Sequence, residues 1–237
     1  MKKYFIVLFL LLAFCGDNSD QIDQSEATSS DTTEAIVITE EKSTITTEIV
    51  QLDSFEGTVY EIIKDKSKVG YLAPKQFLNS GLETVEGVTS EIIGEFTLEL
   101  SECDQSDSCL YITNLLIRVD ISTLKSDNAI RDSAIKSQWL ESKLFPEVVF
   151  KIEELVIPNK NFDSKVEDTI VGKLSIREIE LDTPFSISAS LSGDEMRIQG
   201  FSEIDTTWFG FDAPTKFNAW EVLNPIGLTV DLVAKQK

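Results

Sequence analysis

Histidine, the side chain used most often for proton transfer, does not occur among the 237 residues of the chain. Ser-His-Asp and Cys-His catalysis are therefore impossible, and so is any zinc site with histidine ligands. Asp and Glu number 41, which makes close carboxylate pairs inevitable by chance, and no pair stands out as an acid–base couple. No motif supports an enzyme, and we expect neither catalytic residues nor a metal or cofactor site.

Two of the three cysteines suggest a disulfide. Cys103 and Cys109 flank DQSDS, with the strand-like segments EFTLEL before them and LYITNLLIRVDI after them. Two strands joined by a short polar turn form a hairpin, whose ends lie close enough to be bridged. Closing so short a loop contributes only about 2 kcal/mol. The alternative is a metal site that adds Asp104 and Asp107, but it has too few ligands and no recognised spacing.

The N-terminus has the features of an export signal. Lys2 and Lys3 precede an apolar run from Tyr4 to Phe14, which is too short for a membrane-spanning helix of about 20 residues. The run ends in LAFC, which is similar to a bacterial lipobox, although Phe14 stands where a small residue is usual. We predict a signal peptide over residues 1–15 and lipidation of Cys15, or else ordinary cleavage nearby with Cys15 discarded. The expected location is the periplasm or the cell surface, as a membrane-anchored lipoprotein.

Charge and composition divide the rest of the chain. The net charge of −20 excludes nucleic acid as a partner, because phosphates need a basic surface. Residues 16–54 are rich in Ser and Thr and hold ten acids and one lysine, so we predict a disordered acidic tether. The alternative is that AIVIT and TITTEIV form stray strands there. Residues 55–237 are long enough for one domain with a sizeable core.

Apolar residues alternate with polar ones along most of residues 55–237. The alternation is clear in residues 96–100, 115–121, 148–152, 174–176, 179–191, 196–198 and 226–234. A period of two over this many segments predicts an antiparallel sheet with one buried face. About eight long strands favour an all-β barrel of the lipocalin-like kind, which leaves no open sheet edge.

One segment interrupts the strand pattern with a helical one. Ser126 or Asp127 offers a side-chain oxygen as an N-cap, Asp132 lies near the positive end of the helix, and Pro146 ends the segment. The expected apolar surface consists of Ile130, Ala134, Ile135, Trp139, Leu140, Leu144 and Phe145. We predict a single helical crossover that covers one end of the barrel.

In three blocks the sequence resembles the YceI-like family of exported bacterial proteins. The blocks are VDISTLKSDNAIRDSAIKSQWLESKLFPEVVFK (119–151), VGKLSIREIELDTPFSIS (171–188) and WFGFDAP (208–214). The resemblance covers nearly the whole of residues 55–237. The family often has a histidine just after the Arg-Asp pair, where this chain has Ser133 and Ala134, and another in its first long strand. Any role of those imidazoles in recognising a head group therefore does not transfer.

The resemblance implies an elongated barrel cavity that binds a long amphiphile, such as a polyisoprenoid or an isoprenoid quinone. An eight-stranded barrel has an interior that is either filled by side chains or able to hold one small ligand. For each expected wall residue the alternative is plain core. The expected ligand-binding residues are Val69, Tyr71, Phe96, Phe150, Ile152, Leu174, Ile176, Phe185, Ile187, Met196 and Ile198.

Two further groups of residues have two interpretations each. Arg131 and Asp132 either hold a ligand head group or form a structural ion pair or cap that ties the helix to the barrel. Trp208, Phe209 and Phe211 either line the mouth of the cavity or close the barrel packing.

The sequence thus leads to two functions. The first is an envelope-anchored, non-enzymatic carrier or sequestering protein for an isoprenoid-like lipid. The alternative is a structural or interaction module with a filled barrel at the cell surface. Its acidic outer surface would then meet protein partners that the sequence does not identify.

Overall fold

The computed structural model describes residues 57–216 and 219–237. The predictions for the signal peptide, Cys15 and the tether of residues 16–54 lie outside these described residues. Within them, no helix is long and apolar enough to cross a membrane.

The described residues form one antiparallel β-sheet of twelve strands. The strands are β1 (Thr58–Ile62), β2 (Lys68–Phe77), β3 (Gly81–Thr89), β4 (Ile92–Cys103), β5 (Ser106–Asp120), β6 (Glu147–Pro158), β7 (Val166–Ile176), β8 (Ile179–Ser192), β9 (Glu195–Ile204), β10 (Thr215–Lys216), β11 (Trp220–Val222) and β12 (Ile226–Gln236). One-turn 3₁₀-helices lie at Lys64–Lys66, Ile121–Thr123 and Thr206–Phe209.

These strands build eight long walls. β1 and β2 run in the same direction, as do β3 and β4, so each pair forms one interrupted wall strand. β5 to β9 and β12 supply the other six walls, and β10 and β11 add a short hairpin to the edge of β2. Because β1 pairs with both β4 and β12, the sheet closes on itself. The predicted eight-stranded antiparallel barrel is confirmed.

A buried serine holds the interruption between β1 and β2 in the wall. Ser67 is 3% exposed; its Oγ donates to the carbonyl of Ile63 at 2.8 Å and accepts from the backbone N–H of Val233 at 3.0 Å. The side chain thereby satisfies backbone groups that a break in the strand leaves without partners. The wall continues through the break without an unpaired buried N–H at Val233.

The alternation read from the sequence sets the direction of the side chains. In β9, Met196, Ser202 and Ile204 are buried, whereas Arg197 and Glu203 between them are exposed. Successive residues of a strand point to opposite faces, so the apolar set lines the interior. The same alternation in the other walls gives the barrel its apolar core.

The two ends of the barrel differ. The mouth end carries the β2–β3 turn, residues 121–146, the β7–β8 turn and residues 205–225. The disulfide end carries the turns between β4 and β5, β6 and β7, and β8 and β9. Side chains fill the disulfide end, where Tyr60 stacks on Phe96 with ring centroids 5.4 Å apart. The core side chains there include Leu98, Leu110, Ile157, Val166 and Met196.

The crossover helix is shorter than predicted. α1 spans Ala129–Ala134 and continues as a π-helical turn over Ile135–Trp139. Asn128 is the N-cap, and its Oδ1 accepts hydrogen bonds from the backbone N–H groups of Ile130 and Arg131 at 3.0 and 3.1 Å. The prediction that Ser126 or Asp127 caps the helix was therefore wrong.

The apolar face predicted for the helix is only partly buried. Ala134, Ile135, Trp139 and Leu140 are half-buried, but Ile130 is 83% and Leu144 71% exposed. A π-turn holds more residues per turn than an α-helix, so one apolar stripe does not continue through it on a single face. These two side chains consequently lie exposed at the mouth end.

The β4–β5 hairpin contains the predicted disulfide. Cys103 and Cys109 are bonded, with their Cα atoms 6.0 Å apart, so neither thiol is free to bind a metal. Cys103 pairs with Ser106 in the sheet, which makes the turn two residues long and not the whole of DQSDS. Leu100, expected on the inner face, is 57% exposed, because β4 extends past β1.

The double variant Cys103→Ser/Cys109→Ser tests how much this bridge contributes. It should fold and lose about 2 kcal/mol of unfolding free energy, since the closed loop is short. Urea unfolding of oxidised wild type and variant measures the difference. A variant without a cooperative transition would show that the barrel depends on the bridge, contrary to this expectation.

Candidate ligand-binding site

The mouth half of the barrel encloses a cavity of about 550 Å³. Small-molecule sites in proteins span about 300–1,000 Å³, so the space suits one ligand. The walls of the barrel and the helical crossover all contribute to the lining. The apolar lining includes Ile62, Val69, Phe96, Leu115, Ile117, Leu140, Phe150, Ile170, Leu174, Ile176, Phe185, Ile187, Ile198, Ile204, Ile226, Leu228, Val230 and Leu232.

Nine of the eleven expected wall residues line this cavity, and their contact with a ligand stays a prediction. They are Val69, Tyr71, Phe96, Phe150, Leu174, Ile176, Phe185, Ile187 and Ile198. The other two, Ile152 and Met196, point inward but are 6% and 2% exposed and do not line it. Met196 lies in the filled disulfide end, opposite Ala234. Ile152 packs over Gly172, where an added Cβ would lie 2.8 Å from its Cγ1.

Two glycines of the wall leave room on the inner face of the barrel. The Phe150 ring lies over Gly172, where an added Cβ would come within 2.3 Å of the ring, and it meets Phe185 edge-on with centroids 5.0 Å apart. At Gly200 an added Cβ would lie 3.4 Å from Val230, 3.6 Å from Ile187 and 3.8 Å from Phe185, which are ordinary contacts. Gly200 lines the cavity, so its missing side chain leaves space there.

The polar lining is concentrated at the mouth end. Lys75, Asn128, Arg131, Thr206 and Lys216 line the cavity there, and no acidic side chain lines it in the described part of the chain. A chain with a net charge of −20 therefore presents cations to its cavity.

No group of three or more His, Cys, Asp or Glu side chains that could hold a metal occurs in residues 57–216 and 219–237.

Lys75 is held between aromatic rings near Arg131. Its Nζ lies 4.6 Å from the ring centroid of Phe77 and 4.1 Å from that of Trp220, a cation–π arrangement. Burial lowers the pKa of Lys75, and the nearby charge of Arg131 lowers it further. The positive charges of Lys75 and Arg131 therefore lie close together at the mouth of the cavity.

Tyr71 adds a neutral hydroxyl to this region. Its ring packs over Gly87, where a Cβ would lie 2.3 Å from Cε1. Burial raises the pKa of Tyr71 to about 12, and the charge of Arg131 opposes that rise. The hydroxyl therefore stays protonated at neutral pH and can donate a hydrogen bond.

The loop before α1 fixes Arg131 in place. Its Nε and Nη2 donate to Ser126 Oγ at 3.1 and 2.9 Å, and it forms an ion pair with Asp127. Asp132 instead accepts from the backbone N–H and the hydroxyl of Ser126 and does not line the cavity. Asp132 thus has a structural role, although its contacts tie the helix to the preceding loop and not directly to the barrel. Arg131 combines the same role with a place in the lining.

Ser202 is a buried polar group on the inner face of the barrel. It is 5% exposed, lies between the lining residues Gly200 and Ile204, and pairs with Leu228 in the sheet. Its Oγ has no hydrogen-bond partner among the described residues. Such buried orphans are uncommon in folded proteins, but Ser202 is not among the residues that line the cavity, so its hydroxyl is not assigned to the ligand site.

The three aromatic residues of the WFGFDAP segment have separate environments. Phe209 is 1% exposed and belongs to the core, while Trp208 is 59% exposed. Phe211 lines the cavity and has the guanidinium of Arg177 5.7 Å from its ring centroid. Closing the packing thus applies to Phe209 and lining the mouth to Phe211.

Some lining residues outside the expected set have a recognisable pattern in the sequence. Leu228 and Val230 alternate within β12, and Trp139 and Leu140 lie on the apolar side of the helical pattern. Lys75 and Lys216 have no such pattern, because an isolated lysine in a strand is usually solvated. Only the closed barrel shows that they share one opening.

Comparison with known proteins identifies a family model that the chain matches and solved structures with a similar fold. Residues 60–234 match the family model of the YceI-like domain. A search of the curated proteins found no match. Two solved structures are similar along 99% of their own chains. BcnA from Burkholderia cenocepacia covers 73% of this chain at 15% identity with a TM-score of 0.52. A polyisoprenoid-binding domain from Saccharophagus degradans, implicated in plant cell wall breakdown, covers 76% at 8% identity with a TM-score of 0.53.

Proposed function

The chain belongs to the YceI-like domain family, and on this premise we propose that it is a non-enzymatic carrier or sequestering protein for a long amphiphile. The proposed ligand is a polyisoprenoid or an isoprenoid-quinone-like lipid, with its tail inside the barrel. The observation that carries the proposal is the apolar cavity of about 550 Å³. The polyisoprenoid-binding description of the Saccharophagus degradans domain agrees with this ligand class.

The apolar wall supplies the affinity for the tail. Burying a methylene group contributes about 0.8 kcal/mol, so ten such groups would contribute roughly 8 kcal/mol. That gross figure corresponds to a micromolar dissociation constant at about −8.2 kcal/mol, before the costs of immobilising the chain. Flexible apolar contact of this kind accepts a range of prenyl chains.

The polar lining sets the direction of the ligand. Tyr71, Lys75 and Arg131 lie at the mouth end and the floor of the cavity is apolar, so the head group faces the mouth and the tail faces the disulfide end. Cations and a phenolic hydroxyl match acceptor oxygens, which quinone carbonyls and phosphates both have.

Substituting Ile by Asn in the hollow and the filled half of the barrel tests this function. Ile187 lines the cavity, so Ile187→Asn should lower the melting temperature only modestly and reduce the retained lipid. Ile157 is 6% exposed in the filled end, so the matched Ile157→Asn should destabilise strongly. An amide buried without partners costs roughly 1–3 kcal/mol or more.

Both quantities are measured on the same preparations, by thermal melting and by mass spectrometry of the organic extract. Wild type without any amphiphile, together with equal destabilisation by the two Asn variants, would favour the interaction module with a filled barrel.

For the location we propose an envelope lipoprotein attached through Cys15. The support is the sequence pattern of a short apolar run that ends in LAFC. One acyl chain gives only marginal membrane attachment, so stable anchoring requires more than one.

Cys15→Ser should accordingly move the protein from the membrane fraction to the soluble fraction. Immunoblots of fractionated cells measure the distribution, with the Cys103→Ser/Cys109→Ser variant as a control that keeps Cys15. Equal membrane association of Cys15→Ser and wild type would reject the anchor.

A further inference from the structure

Exposed apolar side chains gather at the mouth end of the barrel. Leu78 and Leu82 flank the β2–β3 turn at 69% and 61% exposure, and Trp208 follows β9 at 59%. Ile130, in α1, and Leu144, after the π-helical turn, are 83% and 71% exposed. These five residues form the apolar rim. A soluble protein seldom exposes many large apolar residues at one place without a binding role.

The disulfide end has a different composition. Its turns consist of Asp104–Gln105, residues 159–165 and Gly193–Asp194, which are mostly polar, and Phe162 is packed against the core. The contrast shows that exposure of apolar residues is not a general property of the loops of this chain. The other exposed large apolar residues, Ile93, Leu100, Val156, Val171 and Phe201, lie on the barrel strands, whereas those in and beside the loops lie at the end at which the cavity opens.

The apolar rim is continuous with the cavity. Ile130 both lines the cavity and has the largest exposed fraction of the large apolar side chains described. A ligand leaving the barrel would pass this side chain before it met water. A surface that continues the apolar lining outward suits contact with another apolar phase.

We propose that the apolar rim docks on a lipid bilayer, with Leu78, Leu82, Ile130, Leu144 and Trp208 entering the head-group region. This inference rests on the proposed carrier function for its purpose, because a long amphiphile dissolves in membranes and poorly in water. Leu and Trp side chains are typical of segments that lie in the membrane interface. The docked barrel would exchange its ligand without exposing the tail to water.

Charge decides which membrane surface is suitable. In the segments of this end, residues 121–146, 177–178 and 205–225, six cationic side chains stand against seven acidic ones, so the rim has no excess of positive charge. Two of these cations form ion pairs, Arg177 with Glu141 and Arg131 with Asp127. The chain as a whole carries −20 and is repelled by anionic lipids. Docking should therefore depend on insertion of apolar side chains and occur on zwitterionic vesicles.

The test is vesicle flotation of the full chain carrying Cys15→Ser, which removes the lipid anchor. The chain should float with phosphatidylcholine vesicles, and Leu78→Ser/Leu144→Ser should weaken the binding at least tenfold. These two side chains do not line the cavity, so lipid retention should stay at the wild-type level. The matched control Leu100→Ser/Val171→Ser removes exposed apolar residues from outside the rim and should change binding less than twofold.

Three results would overturn the proposal. They are failure of the Cys15→Ser chain to float, equal loss in the control, and binding that requires anionic lipid. A rim variant that changes the oligomeric state in light scattering, without vesicle binding in the parent, would assign the rim to contact between copies. Flotation by a chain that retains no amphiphile would reject the carrier function and leave the docking intact.

Discussion

Closure of the sheet by β12 is the constraint on which the rest of the structure depends. β12 pairs with β9 along one edge and with β2 and then β1 along the other. β12, the last strand, is thereby joined to the wall that β1 and β2 form. Because the register is fixed by these pairs, every second residue of each wall must face the interior. The apolar cavity is a consequence of that geometry together with the size of the side chains placed there.

The interior is divided along its length by side-chain volume. Stacked Tyr60 and Phe96, with Met196 nearby, fill the disulfide end, whereas Gly200 leaves room in the mouth half. A filled half can supply the folding free energy while a hollow half remains open to a ligand. The two interpretations drawn from the sequence, a filled core and a lined cavity, therefore apply to different halves of one barrel.

The fold was more accessible from the sequence than the site was. Alternation along β9 and β12 predicts which residues point inward, and it does so without knowledge of the strand partners. Alternation does not give depth, so Met196 and Ile198 have the same signal although only Ile198 lines the cavity. Lys75 and Arg131 are far apart in the sequence, and only the pairing of the strands into a barrel brings them near each other. The N-cap of the helix could not be predicted, because Ser126, Asp127 and Asn128 are consecutive and each of these residue types is a suitable N-cap.

The central claim is that the mouth half is hollow and holds one amphiphile, and Gly200→Leu tests it most directly. The Cβ of the added side chain would make only ordinary contacts, the rest of it should enter the cavity, and the substitution replaces a strand glycine. The melting temperature should therefore stay level or rise, while the lipid recovered per barrel falls at least tenfold below wild type. Gly200→Ala, which adds one methyl group, serves as the control. Gly200→Leu that retains as much lipid as wild type, or wild type that yields none, would contradict the claim.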